Sequence, residues 1–278
     1  MRHYASLLHA TLAASLIVVV ITAAALAGPR EDIKEAHTAY RRGDDATAFR
    51  IVRQLAKQGV AAGQALFGAM YAEGAGVTQN YGEAMKWYRK AADQGLAGAQ
   101  ALLGAMYAES TAVPQNYGEA MKWYRKAAHQ GEAFAQASLG FMYEHGKGVT
   151  QNYGEALRWY RTAAEQGDAD AQILLGAMYA EGRGVPQNYV NASLWFNLSA
   201  AQGNSLAKKY GDSIAERMNS AQIAAAQKLT HEWKAGAGMV SLHVHQPHRR
   251  HHQNVLRGHL IPGSRPGALE TGLSSRAR

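Results

Sequence analysis

From Asn80 to Gly95 the apolar positions are Ala84, Trp87, Tyr88, Ala91 and Ala92, which fall at i, i+3, i+4, i+7 and i+8. This spacing predicts an α-helix with one apolar face. Asn80 stands where an N-cap is expected, with Glu83 three residues on to complete a capping box. Gly95 stands where the helix needs a left-handed stop, and Arg89 and Lys90 put positive charge toward the negative end of the helix dipole. The block returns almost unchanged from Asn116 to Gly131, loosely from Asn152 to Gly167, and degraded from Asn188 to Gly203. Trp87, Trp123, Trp159 and Trp195 mark a period of 36 residues. A period of about 20 to 50 residues predicts a solenoid of stacked supersecondary units.

A second helix precedes each block, most clearly over Ala99–Tyr107, and Gly68, Gly104, Gly140 and Gly176 fall in the middle of its copies. A mid-helix glycine costs about 1 kcal/mol relative to alanine, so its recurrence in register predicts a close approach by a neighbouring helix. The connector reads Gly-x-Gly-Val at Gly74–Val77, Gly146–Val149 and Gly182–Val185, whereas the second copy, Ser110-Thr111-Ala112-Val113, lacks both glycines. Backbone strain of about 1 kcal/mol per residue is expected there if φ must be positive.

The pattern A-x(3)-LG-x(2)-Y-x(2)-G-x-GV, followed by A-x(2)-WY-x(2)-AA-x-QG, resembles the Sel1-like repeat, a relative of the tetratricopeptide repeat with a longer connector. The match spans roughly 60–203. It implies an all-α fold, a right-handed α-solenoid whose concave groove serves as an adaptor for other proteins, and it brings no catalytic residues.

The ends complete the domain plan. Residues 1–27 read as a signal peptide: Arg2, an apolar run from Leu12 to Leu26, and the small-x-small site Ala25-Leu26-Ala27. The run is short for a membrane span of about 20 residues, so stable membrane insertion after cleavage is not expected and the protein is expected in the periplasm or secreted. Residues 28–59 read as an N-terminal capping helix pair in which Ile51 replaces the tryptophan. In the fourth copy Leu194 and Leu198 replace Lys86 and Lys90 of the first, with Ala201 continuing the stripe; residues 204–234 are expected to cover it as C-terminal capping helices. Residues 235–278 form a His/Arg-rich tail, expected to be disordered, with six arginines against Glu270. Most of the +8 formal charge lies in this tail.

Candidate chemistry changes this picture little. The chain has no cysteine, which excludes disulfides, thiol catalysis and cysteine-ligated zinc. Glu83, Glu119 and Glu155 lie a whole repeat apart, as caps and not as an acid–base pair. Ser205-Leu206-Ala207-Lys208 fits S-x-x-K of penicillin-recognising enzymes without its companion motifs, which leaves a cell-wall or β-lactam enzyme as the rival to a binding scaffold. A secreted host-interaction factor is a second rival. His243, His245, His248, His251 and His252 sit in the tail with no scaffold to fix a metal. No cofactor, metal or nucleic acid is expected.

The partner-binding expectation comes from comparing copies, because packing positions repeat while ligand-facing positions are free to differ. Along the line 98, 101, 102, 105, 109, the third copy carries Phe134, Ala137, Ser138, Phe141 and His145. Phe134 and Phe141 share a helical face, flanked in the other copies by Glu73, Glu109 and Glu181. Phe134, Phe141, His145, Glu73, Glu109 and Glu181 are the expected partner-binding set, with both rings filling a gap left by Ser138 as the alternative.

Overall fold

Each repeat folds as a helix pair in the computed structural model, which describes residues 30–109 and 114–237. Among the described residues every regular element is an α-helix. The helices α1 (Arg30–Arg41) and α2 (Asp45–Lys57) lead. The first helices of the four repeats, here the A helices, are α3 (Ala61–Glu73), α5 (Ala97–Glu109), α7 (Ala133–His145) and α9 (Ala169–Glu181). The B helices are α4 (Tyr81–Asp93), α6 (Tyr117–His129), α8 (Tyr153–Glu165) and α10 (Tyr189–Ala201). Two more, α11 (Ser205–Ala215) and α12 (Ser220–Ala237), follow.

The Gln-Asn-Tyr stretch that ends each connector does two jobs. Gln79 Nε2 donates to the Ala72 carbonyl at 2.7 Å, closing the C-terminus of α3, and Gln115, Gln151 and Gln187 do the same in their repeats. Asn80 Oδ1 accepts the Glu83 N–H at 3.0 Å, as do Asn116, Asn152 and Asn188 in their own copies. The reciprocal half of the expected capping box is not made. The Asn80 N–H donates instead to the Tyr71 carbonyl at 2.8 Å, and the Glu83 carboxylate pairs with Lys86 at 2.6 Å. Gly95, Gly131, Gly167 and Gly203 end the B helices with φ between 89 and 91°.

The mid-helix glycines explain the seam within each repeat. A Cβ on Gly68, Gly104, Gly140 or Gly176 would lie 2.5–2.8 Å from the ring of Tyr88, Tyr124, Tyr160 or Phe196. The approach is made by an aromatic side chain of the B helix. Stacking between repeats uses the connector: a Cβ on Gly184, whose φ is +70°, would lie 2.7 Å from the Tyr153 carbonyl oxygen at the start of the preceding B helix. The connector without glycines, residues 110–113, lies outside the described residues, and with it the expected strain.

A buried amide spine runs through the stack. Gln130 Nε2 donates to Gln100 Oε1 at 2.8 Å, and Gln100 Nε2 donates to the Ala92 carbonyl at 3.1 Å. The pattern recurs from Gln166 to Gln136 to Ala128, and from Gln202 to Gln172 to Ala164. Each links the end of one B helix to the A helix of its own repeat and the B helix before it, so buried polar groups are satisfied by the repeat itself.

At the ends, Phe49 of α2 lies 5.1 Å from Phe67 between ring centroids, while Ile51, Val52 and Leu55 are buried. Both α11 and α12 pack on α10. Leu194 and Leu198 are 8% and 6% exposed, and Trp233 meets Trp195 edge-on at 5.0 Å. Ala201 is exposed, so the second stripe stops at Leu198. The leader 1–27 and all but the first residues of the tail 235–278 lie outside the described residues.

Candidate functional site

The A helices differ from the B helices in charge. Together they carry Glu73, Glu109, Glu144, Asp170 and Glu181 and no lysine or arginine. Their alanine- and glycine-rich sequences are apolar nearly all round, so they pack on several sides. The expected groove line is therefore not open along its length: Gly98, Ala101, Leu102 and Ala105 of α5 are all buried. Small side chains let neighbouring helices close over them. The line opens on α7, where Phe134, Ala137, Ser138 and Phe141 are partly exposed and His145 is exposed.

Phe134 and Phe141 share α7 but lean on different neighbours. The Phe134 ring meets Tyr124 of α6 edge-on at 6.1 Å. Phe141 stacks on His145 at 4.2 Å, with the His145 Nδ1 3.0 Å from the Phe141 carbonyl oxygen. Ser138, standing where two other copies have the buried Leu66 and Leu102, hydrogen-bonds the Tyr124 hydroxyl. Each ring is thus half committed to packing and half presented.

The three flanking carboxylates occupy three environments. Glu73 accepts the Tyr40 hydroxyl at 2.5 Å; burial pushes its carboxyl up, the Tyr40 bond pulls it back, and Asp45 adds to the rise. Glu109 Oε2 is buried with no hydrogen-bond partner among the described residues, and burial pushes this carboxyl up to about 7. Glu181 is raised by burial against the opposing pull of Arg183, whose Nε is 2.9 Å from it.

Glu144, outside the expected set, is the most deeply buried carboxylate of the A helices, at 4% exposure. It accepts the Tyr160 hydroxyl at 2.7 Å and pairs with Arg183 of the next connector. The signal was present in the columns, since the other copies have Ala72, Ala108 and Ala180 at this position. Arg183 therefore bridges Glu144 and Glu181, joining the third repeat to the fourth through charge. Elsewhere the Arg125 guanidinium donates to the Tyr143 hydroxyl at 3.2 Å, and Arg89 and Arg161 reach Tyr107 and Tyr179 in the same way.

Lys208 of the S-x-x-K stretch is exposed and holds Asp212 at 2.7 Å. Among the described residues no cluster of three or more histidine, aspartate or glutamate side chains is placed to hold a metal ion. The tail histidines lie outside the described residues.

A family model described as the Sel1 repeat matches residues 61–96, 97–132, 133–168 and 169–204. The chain belongs to the Sel1 repeat family. Sel1 repeat proteins are generally scaffolds for protein–protein interaction. A crystal structure of a protective antigen present in uropathogenic Escherichia coli strains, displaying an SLR fold, is 34% identical over 73% of this chain with a TM-score of 0.65. This chain spans 45% of that protein's length. A Sel1 repeat protein from Oxalobacter formigenes is 33% identical, covering 72% of this chain and 82% of its own, with a TM-score of 0.62. Among curated proteins none matches. In Sel1 terms, the glycine–aromatic seam, the glutamine spine and the Gln-Asn caps are the repeat itself, while Phe134, Phe141, Glu144 and His145 are what sets the third copy apart.

Proposed function

We propose that this Sel1 repeat protein is an exported scaffold that binds a protein or peptide on its A-helix face, centred on α7. The observation that carries the reading is the local opening of that face: Phe134 and Phe141 are partly exposed where the equivalent residues of α3 and α5, Ala62, Gly98, Ala69 and Ala105, are buried. Aromatic groups that are anchored on one side and presented on the other, beside carboxylates, have the makings of a binding hot spot. Export is supported by the leader pattern in residues 1–27. Among the described residues no helix is long and apolar enough to cross a membrane. A secreted, host-facing role is the second reading; the protective-antigen description of the uropathogenic relative favours it.

Site-directed photo-crosslinking tests the surface. A photoreactive residue in place of His145 is expected to capture a discrete partner in the cell envelope or medium, whereas one in place of Lys122 on α6 captures none. Equal capture at both positions, or capture at Lys122 alone, overturns the assignment of the face.

A further inference from the structure

The chemistry of the occupant is legible in the charge of the face. The A helices hold five carboxylates and no lysine or arginine. Glu109 Oε2 is buried with no hydrogen-bond partner among the described residues, a state that costs free energy unless a donor or cation reaches the oxygen. The protein itself shows what suits such a carboxylate. At Glu144 the partners are a tyrosine hydroxyl at 2.7 Å and the Arg183 guanidinium, which also meets Glu181 at 2.9 Å. At Glu73 the partner is the Tyr40 hydroxyl at 2.5 Å. Guanidinium is a planar, weakly hydrated donor that pairs with carboxylates at partly buried sites better than an ammonium does.

We infer that the A-helix face takes an extended, arginine-bearing segment of a partner protein, whose guanidinium meets Glu109 and whose apolar side chains rest on Phe134 and Phe141. The inference rests on the proposed binding role of this face and adds the class of ligand. A single register joins the two features: Glu109 and His145 are equivalent positions one repeat apart, and Phe141 stacks on His145 at 4.2 Å. The chain's own arginines, from Arg249 onward, offer the same chemistry. They lie outside the described residues, and the competition experiment below separates that source from a partner protein.

Fluorescence anisotropy on the full chain tests this with a labelled peptide of alternating arginine and leucine and its glutamate-for-arginine counterpart. The arginine peptide is expected to bind at least about tenfold more tightly. Glu109→Gln, which keeps the shape and removes the charge, is expected to weaken it about fivefold or more. Equal binding of both peptides, no binding of either, or unchanged affinity in the Glu109→Gln chain overturns the inference. Loss of binding on Phe134→Ala/Phe141→Ala, with none on Glu109→Gln, retains the binding face and rejects the cationic ligand. Displacement of the label by a peptide of residues 243–257 as effectively as by the unlabelled arginine peptide assigns the face to the chain's own tail and overturns the partner source.

Discussion

Burial of single side chains decides which residues here are structural and which are poised. Glu109 carries a carboxyl pushed up to about 7 by burial, with the Tyr124 hydroxyl as its charged-state neighbour. A carboxyl raised in the folded state favours folding fully below its ordinary value of 4.5 and loses that contribution as pH rises through about 7. Glu109→Gln should therefore gain stability over the parent between about pH 4 and 8, by about 3 kcal/mol, read from denaturant titrations at both ends. Glu144 and Arg183 form the opposite case. Arg183→Ala leaves a carboxylate at 4% exposure without its cation, and about 3 kcal/mol or more should be lost. Adding Glu144→Ala should recover much of that, since alanine occupies this position in the other three repeats. A double-mutant cycle with no coupling contradicts the pairing. Sequence hides this pair because its partners stand 39 residues apart and the Arg183 column, with Ala75, Thr111 and Lys147, differs in every copy.

Helices and connectors follow the repeat closely, and here the sequence was most legible. The Trp period, the glycine stops and the asparagine caps each reappear as geometry because they act locally, within a turn or a helix end. Apolar periodicity identifies faces and so cannot reveal the glutamine spine, because Gln64, Gln100, Gln136 and Gln172 are polar yet buried. The open part of the A-helix line was equally hidden, because helices apolar on all sides name no face. At the seam, Gly140→Ala puts a Cβ 2.5 Å from the Tyr160 ring. The usual gain of alanine over glycine in a helix should be reversed into a loss of about 1–3 kcal/mol. A melting temperature at or above that of the parent contradicts the close approach. Stacking gives a second test at this scale. Deleting one whole repeat, residues 96–131, should leave a folded, shorter solenoid, while deleting residues 96–113 should expose apolar faces and cause aggregation, as size-exclusion chromatography reads directly.

The whole molecule is a stack of like units in which one unit is unlike the rest. The first two repeats bury this line of their A helices behind small and aliphatic side chains, and the fourth leaves Asp170 and Leu174 partly exposed on it; the third carries Phe134, Ser138, Phe141, Glu144 and His145 and ties itself to the fourth through Arg183. A scaffold built by repetition gains specificity where repetition fails, and the proposed binding site is there. Replacing both Phe134 and Phe141 with alanine measures this most directly, with thermal melting and capture of the crosslinked partner followed on the same chain. The account predicts a near-parental melting transition and capture weakened by about 2 kcal/mol or more. A loss of several kcal/mol in stability with capture intact, as for side chains that only fill the core, would contradict it.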